Sequence, residues 1–144
     1  MNSIFINPNT EGEWSEYYSI RFSALRKPWG QPLGSEKDES DSTSINVMLL
    51  VNNVSVAVGR LHFNNQNEGQ VRYMAVDEHH RGKGYGTVML QELEKIAKQN
   101  QRSTMMLEAR EKAIPFYERN GYSVARKSYL LFGEIQHFTM YKEL

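Results

Sequence analysis

Short apolar runs alternate with polar ones along this chain, and the period of the alternation separates strands from helices. "SIFIN" at the start reads as an opening strand. From Glu13 onward Trp14, Tyr17, Tyr18, Phe22 and Leu25 recur near helical spacing, and Pro28 stops the run, which predicts a first helix. "INVMLLVN" and "VSVAVGRLHF" are β-branched runs that meet at an Asn-Asn pair, the composition of a tight hairpin. "NNQNEG" makes the next turn, and "QVRYMAVD" is a third strand of the same meander. The period then changes. Met89, Leu90, Leu93, Ile96 and Ala97 follow helical spacing, so a helix of about four to five turns is expected from Gly84. "STMMLEAR" returns to strand, "EKAIPFYERNG" to a short helix capped by Gly121, and "YSVARKSYLLF" and "QHFTMYKEL" close the chain as two strands. The order β-α-β-β-β-α-β-α-β-β predicts an α+β fold, a mixed and mostly antiparallel sheet flanked by helices with one βαβ crossover. Residues 28–44, rich in Pro, Gly, Ser and acid, are expected to form a mobile loop.

Composition narrows the function classes. A chain of 144 residues is expected to form one domain spanning 1–144, and 40% hydrophobic with 24% charged residues is ordinary for a globular protein. No apolar run approaches the length of a membrane span, and the N-terminus lacks the basic-then-apolar pattern of a signal peptide, so a cytoplasmic location fits. There is no cysteine, hence no disulfide, thiolate nucleophile or thiolate metal ligand. The four histidines are scattered without ligand spacing, so no metal site is expected. A net charge of zero argues against a dedicated nucleic-acid binder. The charge is unevenly placed: residues 1–77 hold six Lys/Arg against nine Asp/Glu, and residues 78–144 hold eleven against eight.

The basic half contains "RGKGYG", residues 81–86, between a predicted strand and a predicted helix. The first N–H groups of a helix lack intrahelical partners, and the helix dipole places partial positive charge there. Removing Cβ atoms lets an anion reach those donors. Gly82, Gly84 and Gly86 therefore read as a phosphate cradle, with Arg81 and Lys83 at its rim. The spacing is not a dinucleotide fingerprint, since Thr87 stands at the third position, and no P-loop string exists. A flexible strand-to-helix connection is the plain alternative.

Arg81, Gly84 and Gly86, following "VRYMAVDEHH", resemble the R-x-x-G-x-G acyl-CoA signature of the GNAT N-acetyltransferases. Residues 109–122, "AREKAIPFYERNGY", are similar to the family's second signature, with Ala113, Tyr117, Gly121 and Tyr122 at its spacing. The two motifs and their elements span residues 71–122, and the order of elements extends the resemblance to the whole chain. The ending "GEIQHFTM" and the "RLHF…VRYMAV" hairpin look like a subgroup of small uncharacterised GNAT proteins. One position departs. Many members carry Asn three residues before the alanine, where it contacts the pantetheine arm; this chain has Arg110.

The resemblance implies acetyl transfer from acetyl-CoA, as co-substrate, to an amine, with no metal. It implies a pyrophosphate on the backbone of Arg81, Gly82, Lys83, Gly84, Tyr85, Gly86 and Thr87. The pantetheine arm would pair with the backbone edge of Met74, Ala75 and Val76, with Arg110, Ala113, Phe116 and Tyr117 alongside. Tyr117 matches the family's general acid, although a tyrosine on an amphipathic helix is as readily core packing. For the base, His137 has a suitable intrinsic pKa, Glu108 lies on the strand facing the gap, His62 shares a face with Arg60, and a water relay needs none of them. His79 and His80 read as solvated loop residues. The acceptor is expected to be a small-molecule amine, bounded by the first helix and the 28–44 loop. Arg21 and Arg26 would suit an anionic group on it or be solvated, while "SEKDESD" would suit a cation. A non-catalytic acyl-CoA-binding module is the alternative reading. The apolar "YLLF" segment suits either a homodimer contact or core burial.

Overall fold

A computed structural model describes residues 2–144. The chain runs β1 (Ser3–Ile6), α1 (Glu11–Leu25), β2 (Ile45–Val51), β3 (Val54–Phe63), β4 (Glu68–Val76), α2 (Tyr85–Gln99), β5 (Thr104–Arg110), α3 (Ile114–Arg119), β6 (Ser123–Leu131) and β7 (Ile135–Glu143). The strands form a single seven-stranded sheet in the order β1-β2-β3-β4-β5-β7-β6. All neighbours are antiparallel except β4 and β5, which α2 joins as a βαβ crossover; α3 joins β5 to β6 across the intervening β7. This is the α+β arrangement that the sequence pattern predicts.

Local chemistry accounts for the boundaries. Thr10 caps α1 by accepting from the Glu13 N–H, and the Glu13 carboxylate returns the bond to the Thr10 N–H. Asn52 and Asn53 take φ of 51° and 67°, the two left-handed positions that a two-residue hairpin requires. Gly121 has φ of 93° just beyond α3, where a left-handed residue ends a helix.

Two apolar clusters sandwich the sheet. On one face Met89, Leu90, Leu93 and Ala97 of α2 pack on Val47, Leu61, Val71, Met105 and Leu107, and α3 adds Phe116 and Tyr117. Gly59 makes this approach possible: a Cβ there would lie 2.9 Å from a Leu93 methyl. Tyr122 of the second motif lies against the same cluster and donates to Glu94, which Lys142 also reaches, so α2, the turn after α3 and β7 are tied together. On the other face Tyr17 and Ile20 of α1 pack on Met48, Val58 and Ala75. β1 and β6 are the outer strands, and β6 exposes Val124, Tyr129 and Leu130. Within "YLLF", Leu131 and Phe132 are half-buried.

The 28–44 segment departs from expectation. It is anchored rather than solvated, because acids within it meet buried arginines. Arg21 and Arg60 are both fully buried, and Asp41 bonds both, at 3.0 Å from Arg21 Nη1 and 3.0 Å from Arg60 Nη1. Arg60 also pairs with Asp38, Tyr18 donates to Asp41, and Arg21 donates to the Glu36 carbonyl. Arg21 is therefore neither a solvated charge nor open to a ligand. Asp38 and Asp41 are neutralised in place and do not form a surface that attracts cations. The sequence hid this because a Ser- and Asp-rich segment reads as solvated unless its counterions, here on a helix and a strand, are known.

Asp41→Ala leaves two buried guanidiniums without their shared anion, and urea unfolding should show a loss of about 3–5 kcal/mol. Burial alone would raise the Asp41 pKa, but the Asp38 N–H, Arg21, Tyr18 and Arg60 hold it below the usual carboxylate value. Its contribution should then be present above about pH 4 and decline as pH falls below that. Unchanged midpoints in the variant would discount the cluster as an anchor.

Candidate active site

The site originates in an irregularity of β4. Across β3 and β4, Val58 pairs with Ala75 and Arg60 with Arg72, so Tyr73 and Met74 together oppose Gly59 alone. This is a β-bulge, which bends its strand. Tyr73 takes φ of 50°, a left-handed conformation unusual for an aromatic residue. Its ring is held by guanidiniums, with Arg21 at 4.2 Å and Arg60 at 5.0 Å from the centroid. The Tyr17 hydroxyl proton is shared between Asn46 Oδ1 at 2.9 Å and the Gly59 carbonyl opposite the bulge at 3.2 Å. Beyond the bulge the parallel strands part. β4 pairs with β5 from Glu68 to Val71 and no further, while Ala75 and Val76 keep their antiparallel partners on β3. One backbone edge of Met74, Ala75 and Val76 thus faces a gap.

At the outer end of that gap lies a groove of about 580 Å³, lined by Val76, His80, Arg81, Gly82, Gly84, Tyr85, Gly86, Thr87, Phe116, Arg119 and Asn120. Gly82 and Gly84 take φ of 78° and 83°, and nothing lies within 4 Å of where a Cβ would stand on either. Gly84 occupies the N-cap of α2 without a side chain to accept from the first turn, and that turn holds no acid. The helix therefore presents its positive end to the groove. Gly86 serves packing: a Cβ there would lie 3.2 Å from the Phe116 ring.

At the inner end is a cleft of about 160 Å³ between α1, β4, β5, β6 and β7. Its walls include Met74, Glu108, Arg110, Ala113, Tyr117 and His137. α3 therefore borders both spaces, with Phe116 on the groove and Tyr117 on the cleft. Burial pushes the Tyr117 hydroxyl up to about 12, and the Arg110 charge opposes the rise. Tyr117 stays protonated at neutral pH and has a proton to donate.

His137 is 5% exposed, with Tyr129 stacked on its ring at 4.5 Å. Its Nδ1 lies 2.9 Å from the Ile135 carbonyl, which only accepts, so Nδ1 carries the proton and Nε2 keeps the lone pair. Burial lowers its pKa below the ordinary value, against the Ile135 bond, and Arg110 lowers it further. Glu108 is engaged by the Thr139 hydroxyl, at 2.8 Å and 3.0 Å from its two oxygens, and forms no ion pair with Arg110. β5 and β7 bring these groups together, because Arg110 pairs with His137 and Glu108 with Thr139.

The other candidates separate clearly. His62 bonds Asn64 and approaches Arg60, and it borders neither space. Lys83 is exposed and lines neither wall. Ala75 packs its side chain against α1, so only its backbone faces the gap. His80 lines the groove and bonds Asp77 at 2.8 Å, unlike the solvated residue that its sequence context suggests. Arg119 is one helical turn from Phe116, so helical spacing from the motif predicts its place. Arg72, Tyr73 and Tyr129 give no local signal; the bulge and the β5-β7-β6 order bring them to the cleft. The glycine at position 59, inside a β-branched run, was the one sequence mark of the bulge.

Residues 11–122 match the family model of the acetyltransferase (GNAT) family. The uncharacterised N-acetyltransferase YjcF of Bacillus subtilis is 27% identical over 133 residues, which cover 92% of this chain and 94% of that protein. A candidate N-acetyltransferase from Lactobacillus plantarum superposes with a TM-score of 0.87 at 20% identity, over 100% of this chain and 99% of its own. An aminoglycoside 6′-N-acetyltransferase solved in complex with coenzyme A superposes at 0.81 and 15% identity, over 99% of this chain and 97% of its own. The family match runs from the first helix to Tyr122 and so takes in the bulge, the glycine groove and the helix that borders the cleft: this chain belongs to the GNAT family of acetyltransferases and is an acyltransferase.

Proposed function

We propose that this protein, acting as one domain over 1–144, moves an acetyl group from acetyl-CoA to a small-molecule amine by direct attack. The observation that carries the reading is the continuity of groove and cleft along one strand edge and one short helix. Val76 and Phe116 line the groove, and Met74 and Tyr117 line the cleft. A ligand with phosphates at one end and a thioester at the other would fit that path. The superposed aminoglycoside 6′-N-acetyltransferase was solved in complex with coenzyme A, which supports a coenzyme A ligand for this fold.

In this reading the N–H groups at the start of α2 and Arg81 hold the pyrophosphate, with Arg119 on the same wall. The free edge of residues 74–76 pairs with the amides of the pantetheine arm. An alkyl ammonium has a pKa near ~10.4 and attacks only after losing a proton. His137 Nε2 accepts it in this reading; the imidazole lines the cleft, is neutral at physiological pH and uses Nδ1 for the Ile135 carbonyl. Tyr117 donates its hydroxyl proton to the departing sulfur, and Arg110 eases that transfer by favouring the phenolate. Glu108 is the second candidate for the base, held by Thr139 on the same wall.

Thermal unfolding should shift upward by several degrees with acetyl-CoA or CoA at about 100 times Kd, worth about 2.7 kcal/mol, and not with ATP or NAD. An absent shift would remove the cofactor assignment. Tyr117→Phe should retain that shift while kcat drops by about 10²–10⁴-fold; undiminished turnover would make Tyr117 a packing residue. Because burial lowers the His137 pKa, the rising limb that its deprotonation produces in kcat should lie below about pH 6.5. His137→Gln should lower kcat and abolish that limb. A limb that survives unchanged would pass the role of base to Glu108 or water.

A further inference from the structure

The walls of the cleft carry an uneven charge that the transfer chemistry does not require. Three guanidiniums, Arg26, Arg72 and Arg110, face one carboxylate, Glu108. Arg110 stands opposite His137 and acts on Tyr117, so it belongs to the reacting end. Arg26 and Arg72 have no such task.

Neither forms an ion pair among the described residues. Arg72 has one long hydrogen bond, Nη2 to the Tyr73 hydroxyl at 3.4 Å, and lies 4.9 Å from the Tyr73 ring centroid, while Arg26 lies 5.6 Å from that ring and 5.5 Å from Phe132; rings leave the positive charge without an anion. Arg26 donates through Nε to the Ser35 carbonyl and through Nη1 to the Leu25 carbonyl, both neutral acceptors. Both arginines are half-buried. The nearby acids of the 28–44 segment are already engaged. Asp41 serves Arg21 and Arg60, and Asp38 feels the Arg72 charge but pairs with Arg60. A partly desolvated guanidinium without a counterion is well suited to a carboxylate or phosphate.

The two arginines converge on one place. Both guanidiniums approach the Tyr73 ring, and both line the cleft together with Glu108 and Tyr129. Strand register gives the spacing. Val71 of β4 is the last residue paired with β5, opposite Leu107, and both face α2. Arg72 and Glu108 are the next residues, on the other face, where the strands begin to part. A positive pole and a negative pole thus lie on neighbouring strands, with His137 beyond the second.

We propose, resting on the acetyl-transfer reading above, that the acceptor is a small amine with its own anionic group, of the amino-acid or aminoalkyl-phosphate class. Arg26 and Arg72 bind the anionic group. Glu108 and His137 face the amine, and Trp29 and Tyr129 wall the remainder. On attack the nitrogen forms its bond to the acetyl carbon, the carbon–sulfur bond breaks, the amine proton leaves to the base, and the sulfur takes a proton. The product is the N-acetyl acid and free thiol.

The test is acetyl-CoA-dependent thiol release across matched pairs. Each α-amino acid is compared with its carboxamide and its decarboxylated amine, and phosphoethanolamine with ethanolamine. The anionic member of at least one pair should have kcat/KM about tenfold or more above its neutral partner. Arg72→Gln, confirmed as folded by its acetyl-CoA thermal shift, should collapse that ratio mainly through KM, and Arg72→Lys should restore part of it. Preference for carboxylates over phosphates, or the reverse, identifies the anion. If neutral amines are turned over as well as or better than their anionic partners, or the ratio survives in Arg72→Gln, the inference is overturned and acetyl transfer stands. If acetyl-CoA binds but no amine of any class is acetylated, the transfer reading itself falls, and this inference with it.

Discussion

Two fully buried arginines share one aspartate in this fold, and the α1 side of the sheet is built around that triad. Asp41 binds Arg21 from α1 and Arg60 from β3, so a helix, a strand and the 28–44 segment meet at one carboxylate. Buried ion pairs of this kind contribute little net stability over well-packed apolar residues, but removing one member is costly. The triad is therefore better understood as a constraint than as a source of energy. It fixes where a polar segment lies that has few apolar contacts of its own.

The same guanidiniums bear on the chemistry through Tyr73. A large aromatic residue with positive φ occupies a conformation that its surroundings must enforce. Arg21 and Arg60 pack on the ring, while the Tyr17 hydroxyl lies within reach of both the carbonyl opposite the bulge and Asn46 Oδ1. The bend that follows separates β4 from β5, and the separation creates an unpaired edge within an otherwise continuous sheet. Unpaired strand edges are normally a liability. Here the edge runs between a helix N-terminus without a capping side chain and a cleft that contains a half-buried tyrosine and a buried histidine. α3 borders both, so neither is fixed independently of the other.

Charge follows from the same arrangement. Because Asp38 and Asp41 turn inward, the acidic 28–44 segment contributes no carboxylate to the cleft, and Arg26 and Arg72 remain without anions. A segment that reads as acidic thus leaves a basic cavity behind it.

The sequence by itself determined the elements and the two motifs, because those depend on neighbours in the chain. Hydrophobic period distinguishes α2 from β4, the Asn52-Asn53 pair sets a hairpin through its own backbone preferences, and three glycines before an amphipathic run specify a bare helix start. Tyr117 and Gly121 were legible for the same reason, since one short helix fixes their spacing. Tertiary structure decided what depends on strand order and buried counterions. Nothing near Arg72 marks it as a cleft residue, nothing near Arg21 marks it as buried, and Tyr129 reaches His137 only because β6 lies beside β7. A lone charge in a sequence carries no information about its partner, and the partner decides whether that charge is an anchor or remains available to a ligand.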